Sequence, residues 1–254
     1  MRIATWNILS GRSPGEEAVD EGRFADAVRS LDAELLGLQE VDRAQPRSGH
    51  LDLTAVAAEA MGAREWMFAP ALTGTPDSWR GATGREAADV PTYGVAFLSR
   101  YRVEAWDVVP LPPATVPVPY RWPGNLRPSL VRDEPRVAIV AEVAAPRGPL
   151  RVVTTHLSFL PTSNGAQLRL LVRRLAERSG RLVLMGDLNM GPRRVDRLTG
   201  LGALATGPTF PSDAPTRQID HVLGRGVTGT GHDGAQRVGR DSDGRRLRTV
   251  GGGA

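Results

Sequence analysis

The chain has 254 residues, enough for one large domain with a substantial core or for two small ones. It contains no cysteine, so disulfides and thiolate metal sites are excluded. The formal net charge is +4, yet the basic residues are all arginines scattered along the chain, which argues against a dedicated nucleic-acid-binding stripe.

The sequence contains no apolar run long enough to span a membrane, and its first residues do not have the charged-then-apolar pattern of a leader. We therefore expect a soluble, cytoplasmic monomer with no membrane span. Because no internal repeat or low-complexity linker divides the chain, we expect a single domain over residues 1–254. Its long surface loops are expected near residues 71–91 and 110–128.

Short apolar runs predict strands along the whole chain. In chain order they cover residues 3–8, 35–38, 95–98, 103–109, 137–143, 150–155, 182–185 and 219–223. Apolar residues at helical spacing predict helices over 22–31, 51–61 and 167–176. Some predicted strands follow one another directly and others are separated by helices, a mixture that favours mixed sheets over purely parallel ones.

Amide, carboxylate and histidine side chains lie at or near the ends of several of these strands. They are Asn7, Glu40, His156, Asp187, Asn189 and Asp220. Such strand ends can meet at one sheet edge, where gathered carboxylates would repel one another without a cation. Because the candidate ligands are hard oxygen atoms with no thiol among them, the pattern favours Mg²⁺, Mn²⁺ or Ca²⁺ over zinc.

The Asp187-x-Asn189 pair has two interpretations. Alternation along a strand would point both side chains the same way, toward a shared ligand. The pair is also typical of an Asx turn, which many strand ends contain. The pair alone favours the turn, and the other strand ends favour the site.

Six short segments occur in a recognisable order. They are Thr-Trp-Asn (5–7), Gln-Glu-Val (39–41), Tyr-Gly-Val-Ala-Phe-Leu-Ser-Arg (93–100), Thr-His-Leu (155–157), Gly-Asp-Leu-Asn (186–189) and Ile-Asp-His-Val (219–222). This order resembles the endonuclease/exonuclease/phosphatase superfamily, which includes pancreatic deoxyribonuclease, apurinic-site endonucleases, inositol polyphosphate 5-phosphatases and neutral sphingomyelinases. The resemblance runs from about residue 2 to residue 250.

The resemblance implies an α/β fold, a four-layer α/β/β/α sandwich of two packed mixed β-sheets flanked by helices. It also implies a hydrolase that depends on Mg²⁺ or Mn²⁺ and cleaves a phosphate ester by metal-assisted attack of water. A nuclease-type phosphodiesterase is the first expectation, so nucleic acid is one candidate substrate. A phosphomonoesterase, or a lipid or inositol phosphate phosphatase or phospholipase-type member, is the alternative.

By the same resemblance, Glu40 is expected to be the principal metal ligand, with Asp187 and Asp243 as further contacts. Asn7 would hold the metal or a phosphoryl oxygen; capping of the following turn is its alternative role. Asp187 would orient or activate the attacking water.

The resemblance also assigns roles in catalysis and substrate binding. His156 would donate a hydrogen bond or proton toward the phosphate or leaving group, and Asn189 would hydrogen-bond the phosphate or water. Asp220 would act with them, and Tyr93 is expected either to face the substrate or to pack. Arg136, just before the strand predicted over 137–143, could contact phosphate, but we expect a plain surface arginine.

One departure from the family's pattern lies near the carboxyl terminus. The family's Ser-Asp-His segment matches Ser242-Asp243-Gly244 here, so the histidine expected to pair with Asp220 is absent. Loss of such a group commonly costs about 10²–10⁴ in rate. A weakened enzyme, a non-catalytic relative that still binds metal and phosphate, and an altered carboxyl-terminal reading frame are the three explanations.

Overall fold

The computed structural model describes residues 1–13, 15–16, 18–122, 124–229 and the backbone of 248–251. The strands are β1 (Arg2–Asn7), β2 (Leu35–Arg43), β3 (Glu65–Thr73), β4 (Arg80–Gly81), β5 (Thr92–Ser99), β6 (Val103–Leu111), β7 (Val118–Tyr120), β8 (Ser129–Val131), β9 (Arg136–Ala145), β10 (Gly148–His156), β11 (Leu182–Asp187), β12 (Gly202–Ala205), β13 (Asp220–Arg225) and β14 (Arg248–Gly251). The α-helices are α1 (Glu21–Leu31), α2 (Leu53–Met61), α3 (Pro161–Ala176) and α4 (Pro192–Thr199).

The strands form two large sheets and one small one. The first sheet has the order β14-β1-β2-β5-β3-β4, the second has the order β12-β13-β11-β10-β9-β6, and β7 pairs with β8. The pairs β1–β2 and β10–β11 are parallel, whereas neighbours such as β2–β5 and β9–β10 are antiparallel. Both large sheets are therefore mixed, as the alternation of elements in the sequence predicted.

Three buried apolar clusters separate four layers of secondary structure. One cluster joins α1 and α2 to the first sheet, the second lies between the two sheets, and the third joins the second sheet to α3 and α4. Alternation along β2 shows how the sequence achieves this. Leu36 and Leu38 face the helices, whereas Leu35 faces the second sheet. The chain thus forms the expected α/β/β/α sandwich.

Local sequence signals set the ends of the first two helices. Asp20 caps α1 by accepting a hydrogen bond from the backbone N–H of Arg23. Asp52 caps α2 in the same way, accepting from two backbone N–H groups, and α2 ends at Gly62, whose φ of 65° is left-handed. Both helices were predicted within two residues of their observed bounds.

Other elements depart from the sequence-based prediction. Helix α3 begins at Pro161 rather than at residue 167, because proline is well suited to the first turn of a helix. Helix α4 was not predicted, since Val195 is its single buried residue. Strand β3 was also missed; it carries Pro70 in its interior, which weakens a strand pattern.

The two stretches expected to be long loops contain regular structure. Residues 71–91 include the end of β3 and all of β4, and residues 110–128 include the end of β6 and all of β7. Among the described residues, no helix is long and apolar enough to cross a membrane.

Candidate active site

A cleft of about 450 Å³ opens at the edge of the sandwich where β1, β10 and β11 end, beside residue 40 within β2. Strand β13 runs antiparallel to β11, so its first residue lies opposite the last residue of β11. Among the lining residues are Asn7, Glu40, Tyr93, His156, Asp187, Asn189 and Asp220. The structure therefore brings together every predicted site residue that lies within its described part.

A bulge in β2 places Glu40 in this cleft. The pairing of β2 with β5 shifts register between Gln39 and Val41, and Glu40 has a left-handed φ of 57°. Leu38 and Val41 both pack toward the helices, so Glu40 is the extra residue that leaves the alternation. Such strained backbone persists where the surrounding structure holds it, and it occurs often at functional sites.

Gln39, whose positioning role was not predicted, fixes the other side of the bulge. Its side chain is fully buried between the sheets and donates hydrogen bonds to Thr5 Oγ1 (3.0 Å) and Thr154 Oγ1 (3.2 Å). The sheets come close here: a Cβ on Gly37 would lie 2.5 Å from Thr154 Oγ1. Gln39 thus ties β1, β2 and β10 together directly behind Glu40.

Asn7 connects two of the carboxylates. Its Nδ2 donates to Glu40 Oε1 at 2.9 Å and to Asp187 Oδ2 at 3.2 Å, while its Oδ1 accepts from the backbone N–H of Leu9 at 3.1 Å. The expected turn-capping contact is therefore present. For Asn7 to bind a cation through Oδ1, its side-chain amide would have to flip so that Oδ1 and Nδ2 exchange positions.

Glycine is required immediately before Asp187. Gly186 has a φ of 138°, and a Cβ there would lie 1.9 Å from the backbone oxygen of Thr155. Asp187 Oδ1 then accepts a hydrogen bond from the N–H of Asn189 at 2.9 Å, which closes the Asx turn. The pair therefore forms the Asx turn. Because β11 ends at Asp187, this turn and not strand alternation leaves both Asp187 and Asn189 lining the cleft.

The negative charges of the carboxylates in the cleft repel one another. Burial raises the pKa of Asp187 well above its usual value, and the charges of Asp220 and Glu40 raise it further. Hydrogen bonds from the Asn189 N–H and from Asn7 lower it only in part. The ionised form of Asp187 is therefore costly in this cluster unless a cation compensates the charge.

His156 is buried beside this cluster, and its Nε2 lies 3.7 Å from Asp187 Oδ2. Burial lowers the pKa of His156 well below its usual value, and the positive charge of Arg136 lowers it further. The imidazole is therefore neutral near neutral pH. In that state it can donate one hydrogen bond, but it is a poor proton donor.

The expectation that Arg136 lies on the surface was wrong. Its side chain is 6% exposed, lines the cleft and pairs with Glu134 at 3.2 Å. Its Nε has no hydrogen-bond partner among the described residues. Because β9 and β10 are antiparallel neighbours, the first residue of β9 lies beside the last residue of β10, a signal that could have identified Arg136.

Tyr93 lines the cleft and also packs against neighbouring side chains. Its ring lies 5.7 Å from that of Trp79 and 5.5 Å from the guanidinium of Arg47. Arg47 is held in place by two hydrogen bonds to buried Asp42, at 2.8 and 2.7 Å. Burial, together with the charge of Glu40, raises the pKa of Tyr93 well above its usual value, so the phenol is neutral and can donate a hydrogen bond.

Two predictions concern residues outside the described part of the chain. Asp243, a predicted metal contact, and Gly244, where the expected histidine is missing, both lie there. Their roles stay predictions from the sequence.

The donor set suits an open cation site rather than a closed one. Within the described ranges, no group of three or more histidine, aspartate or glutamate side chains could by itself hold a metal ion. Mg²⁺ characteristically uses one or two carboxylates and completes its shell with water and substrate oxygens. Glu40 and Asp187, linked through Asn7 and short of compensating positive charge, fit such an ion.

Comparisons with known proteins agree with this geometry. The family model described as "Endonuclease/Exonuclease/phosphatase family" matches residues 4–243. No curated protein matches the chain by sequence.

Solved structures share the fold over the full chain. An endonuclease/exonuclease/phosphatase protein from Beutenbergia cavernae is 25% identical with a TM-score of 0.67, covering 100% of this chain and 72% of that one. A mannosyl-6-phosphatase from Bacteroides thetaiotaomicron is 13% identical with a TM-score of 0.61, covering 98% of each chain.

The human nocturnin catalytic domain, solved with a bound sulfate anion, is 14% identical with a TM-score of 0.65, covering 98% of this chain and 93% of that one. The family match over nearly the whole sequence agrees with the four-layer fold and with the cleft of acidic and amide side chains. The chain therefore belongs to the endonuclease/exonuclease/phosphatase family, whose members are generally hydrolytic phosphoesterases.

Proposed function

We propose that this protein is a Mg²⁺- or Mn²⁺-dependent hydrolase of phosphate esters, with a phosphodiester as the first candidate substrate. The observation that carries the proposal is the convergence of Glu40, Asp187 and Asp220 on one cleft, where the pKa of buried Asp187 is raised by burial and by its acidic neighbours. One or two carboxylates of such a cluster suit a divalent cation whose remaining ligands are water and the phosphate oxygens of a substrate.

Glu40 and Asp187 would hold the cation, with Asn7 between them and Asp243 as a further ligand predicted from the sequence. The bound cation would neutralise charge on the phosphoryl oxygens and on the leaving oxygen. Asn7 holds both carboxylates in place before any cation binds, because it donates to each of them. This preorganisation reduces the rearrangement needed at the site.

Asp187 would orient the attacking water through its carboxylate. Asp220, whose charge opposes the ionisation of Asp187, would act beside it once a cation compensates that charge. Asn189 and His156 lie 3.3 Å apart, measured from Nδ2 to Nε2, and would act on the phosphate together. His156 would donate a hydrogen bond rather than a proton, since its imidazole is neutral. Arg136 and Tyr93, which also line the cleft, would contact phosphate oxygens.

The test is hydrolysis of bis-p-nitrophenyl phosphate with Mg²⁺ or Mn²⁺. We expect metal-dependent turnover that falls by about 10²-fold or more in Glu40→Ala, because this change removes the principal ligand. Glu59→Ala, an exposed glutamate on α2, is the matched control and should keep the rate of the unaltered chain. Equal rates in the two variants would defeat the proposal.

A binding protein without turnover is the second candidate, favoured by Gly244 at the position of the family's histidine. Turnover that appears only in Gly244→His would support this candidate. Plasmid nicking and phosphate release from inositol phosphates, run side by side, separate a nuclease from a lipid or inositol phosphate phosphatase.

A further inference from the structure

Residues 112–122 and 124–132 are here called the β7–β8 hairpin, after the two strands that they contain. Its strands pair Val118 with Val131 and Tyr120 with Ser129, in a two-stranded sheet separate from both large sheets. A two-stranded hairpin is at best marginally stable by itself. This one must therefore be held by the body of the protein.

Contacts at its base fasten the hairpin beside the cleft. Asp133 Oδ2 accepts from the backbone N–H of Ala114 at 2.8 Å, and Asp133 Oδ1 accepts from Ser158 Oγ at 2.6 Å. The rings of Tyr120 and Trp122 lie 5.3 and 5.6 Å from that of Phe159, which lines the cleft. The hairpin is thus fixed against the loop that follows His156.

The hairpin exposes an unusual amount of apolar surface. Eight large hydrophobic side chains are exposed in the described part of the chain, and four of them lie here: Val116, Trp122, Leu126 and Leu130. Leu126 is 95% exposed and Leu130 is 72% exposed. Apolar side chains gathered in one surface element mark an interaction site, whereas single scattered ones do not.

Charge indicates which partner this surface fits. Residues 112–132 contain Arg121, Arg127 and Arg132, all exposed, and no acidic residue. Exposed leucine and tryptophan together with arginine are the composition of segments that lie in a membrane interface, where basic side chains meet anionic headgroups. Tryptophan, with an apolar ring and a polar N–H, suits the same depth.

We propose that the β7–β8 hairpin docks this protein on an anionic lipid surface. Leu126 and Leu130 enter the headgroup region, the three arginines contact lipid phosphates, and the mouth of the cleft lies next to the surface. This inference does not depend on the proposed hydrolysis, because docking needs only the hairpin and its anchorage.

The test is co-sedimentation of the full chain with vesicles of phosphatidylcholine alone or mixed with an equal part of phosphatidylglycerol. We expect binding to the mixed vesicles that weakens as salt is raised, and much weaker binding to phosphatidylcholine alone. The double variant Leu126→Ser/Leu130→Ser should bind the mixed vesicles about tenfold less or weaker still. The double variant Arg121→Gln/Arg127→Gln should lose about as much of its binding to the mixed vesicles.

Matched controls remove similar groups from other surfaces. Trp66→Ser takes away an exposed aromatic ring on β3, and Arg169→Gln/Arg173→Gln takes away two exposed charges on α3. Both should bind the mixed vesicles as the unaltered chain does. Circular dichroism and hydrolysis of bis-p-nitrophenyl phosphate, measured on every variant, show whether fold and site are intact.

Three results would overturn the inference: no binding to mixed vesicles at low salt, full binding by the leucine variant, or losses as large in the controls. A dimer that forms without vesicle binding and disappears in the leucine variant would instead assign the hairpin to a second copy of the chain. Vesicle binding without ester hydrolysis would keep the docking surface and defeat the proposed function. Hydrolysis without vesicle binding would keep the proposed function and defeat the docking surface.

Discussion

Arg136 combines deep burial with an unpartnered donor. Its ion pair with Glu134 satisfies one end of the guanidinium, and Nε has no partner among the described residues. A buried arginine donor without an acceptor is costly unless a ligand supplies one. Its position in the cleft, near His156, is where the proposed function requires an anion to sit.

Replacing Arg136 should therefore weaken phosphate-ester binding. We expect Arg136→Gln to lower kcat/KM for bis-p-nitrophenyl phosphate by about 10- to 100-fold, the effect of one charge-assisted hydrogen bond. Arg64→Gln, an exposed arginine away from the cleft, is the control. An unchanged kcat/KM in Arg136→Gln would remove Arg136 from the site.

Tyr101 and Glu34 form a hydrogen-bonded pair near the start of β2, far from the carboxylate cluster. Burial, together with the hydrogen bond to Glu34 and the charge of Glu34, raises the pKa of Tyr101 to about 12. Burial alone would raise the pKa of Glu34. Its hydrogen bonds from Tyr101 and the Arg2 N–H, together with the charged amino terminus, outweigh burial and lower that pKa from 4.5.

The pair should make stability depend on pH in the alkaline range. Between pH 10 and about 12 the unfolded chain releases the Tyr101 proton while the folded chain keeps it, so the free energy of unfolding falls as pH rises. The advantage of the unaltered chain over Tyr101→Phe should be constant from neutral pH to pH 10 and shrink above it. Urea unfolding across this range measures the difference in the free energy of unfolding between the two chains. A difference that stays constant throughout would refute the raised pKa of Tyr101.

Strand β11 depends on one glycine for its approach to β10. Any side chain at Gly186 would collide with the Thr155 carbonyl, and a φ of 138° is itself unfavourable for other residues. We expect Gly186→Ala to lower the free energy of unfolding by about 3 kcal/mol or more, since backbone atoms cannot easily move apart. Urea unfolding is the measurement.

Gly191, five residues further on, provides a matched control. Its φ is −74° and a Cβ there would have nothing within 4 Å, so Gly191→Ala should cost less than about 1 kcal/mol. Similar losses at the two positions would show that the close approach of β10 and β11 does not matter.

Elements with strong apolar patterns could be predicted from the sequence, and elements formed by tertiary contact could not. Residues 35–38 carry an apolar run that predicts the start of β2, but its extension to Arg43 depends on pairing with β5 across a bulge. Strand β3 was missed because Pro70 interrupts its apolar pattern. The strand forms nevertheless, because β3 pairs with β5 on both sides of Pro70. Local sequence does not encode such long-range pairing.

Across the molecule, the order of six short motifs predicted which strand ends would meet. The parallel pairs β1–β2 and β10–β11 bring Asn7 beside Gln39 and His156 beside Asp187, and packing of the two sheets joins the pairs. What the motifs could not supply was the hydrogen bonding within the cleft. The orientation of the Asn7 amide and the burial of Arg136 arise from the packed structure.

Distant segments of one chain would create a single site for a divalent cation. Titration with Mn²⁺, following the free ion by electron paramagnetic resonance, tests this site without substrate or turnover. We expect saturable binding by the unaltered chain and by Glu59→Gln, and binding weakened by about tenfold or more in Glu40→Gln. Undiminished binding in Glu40→Gln, or no binding by the unaltered chain, would contradict such a site.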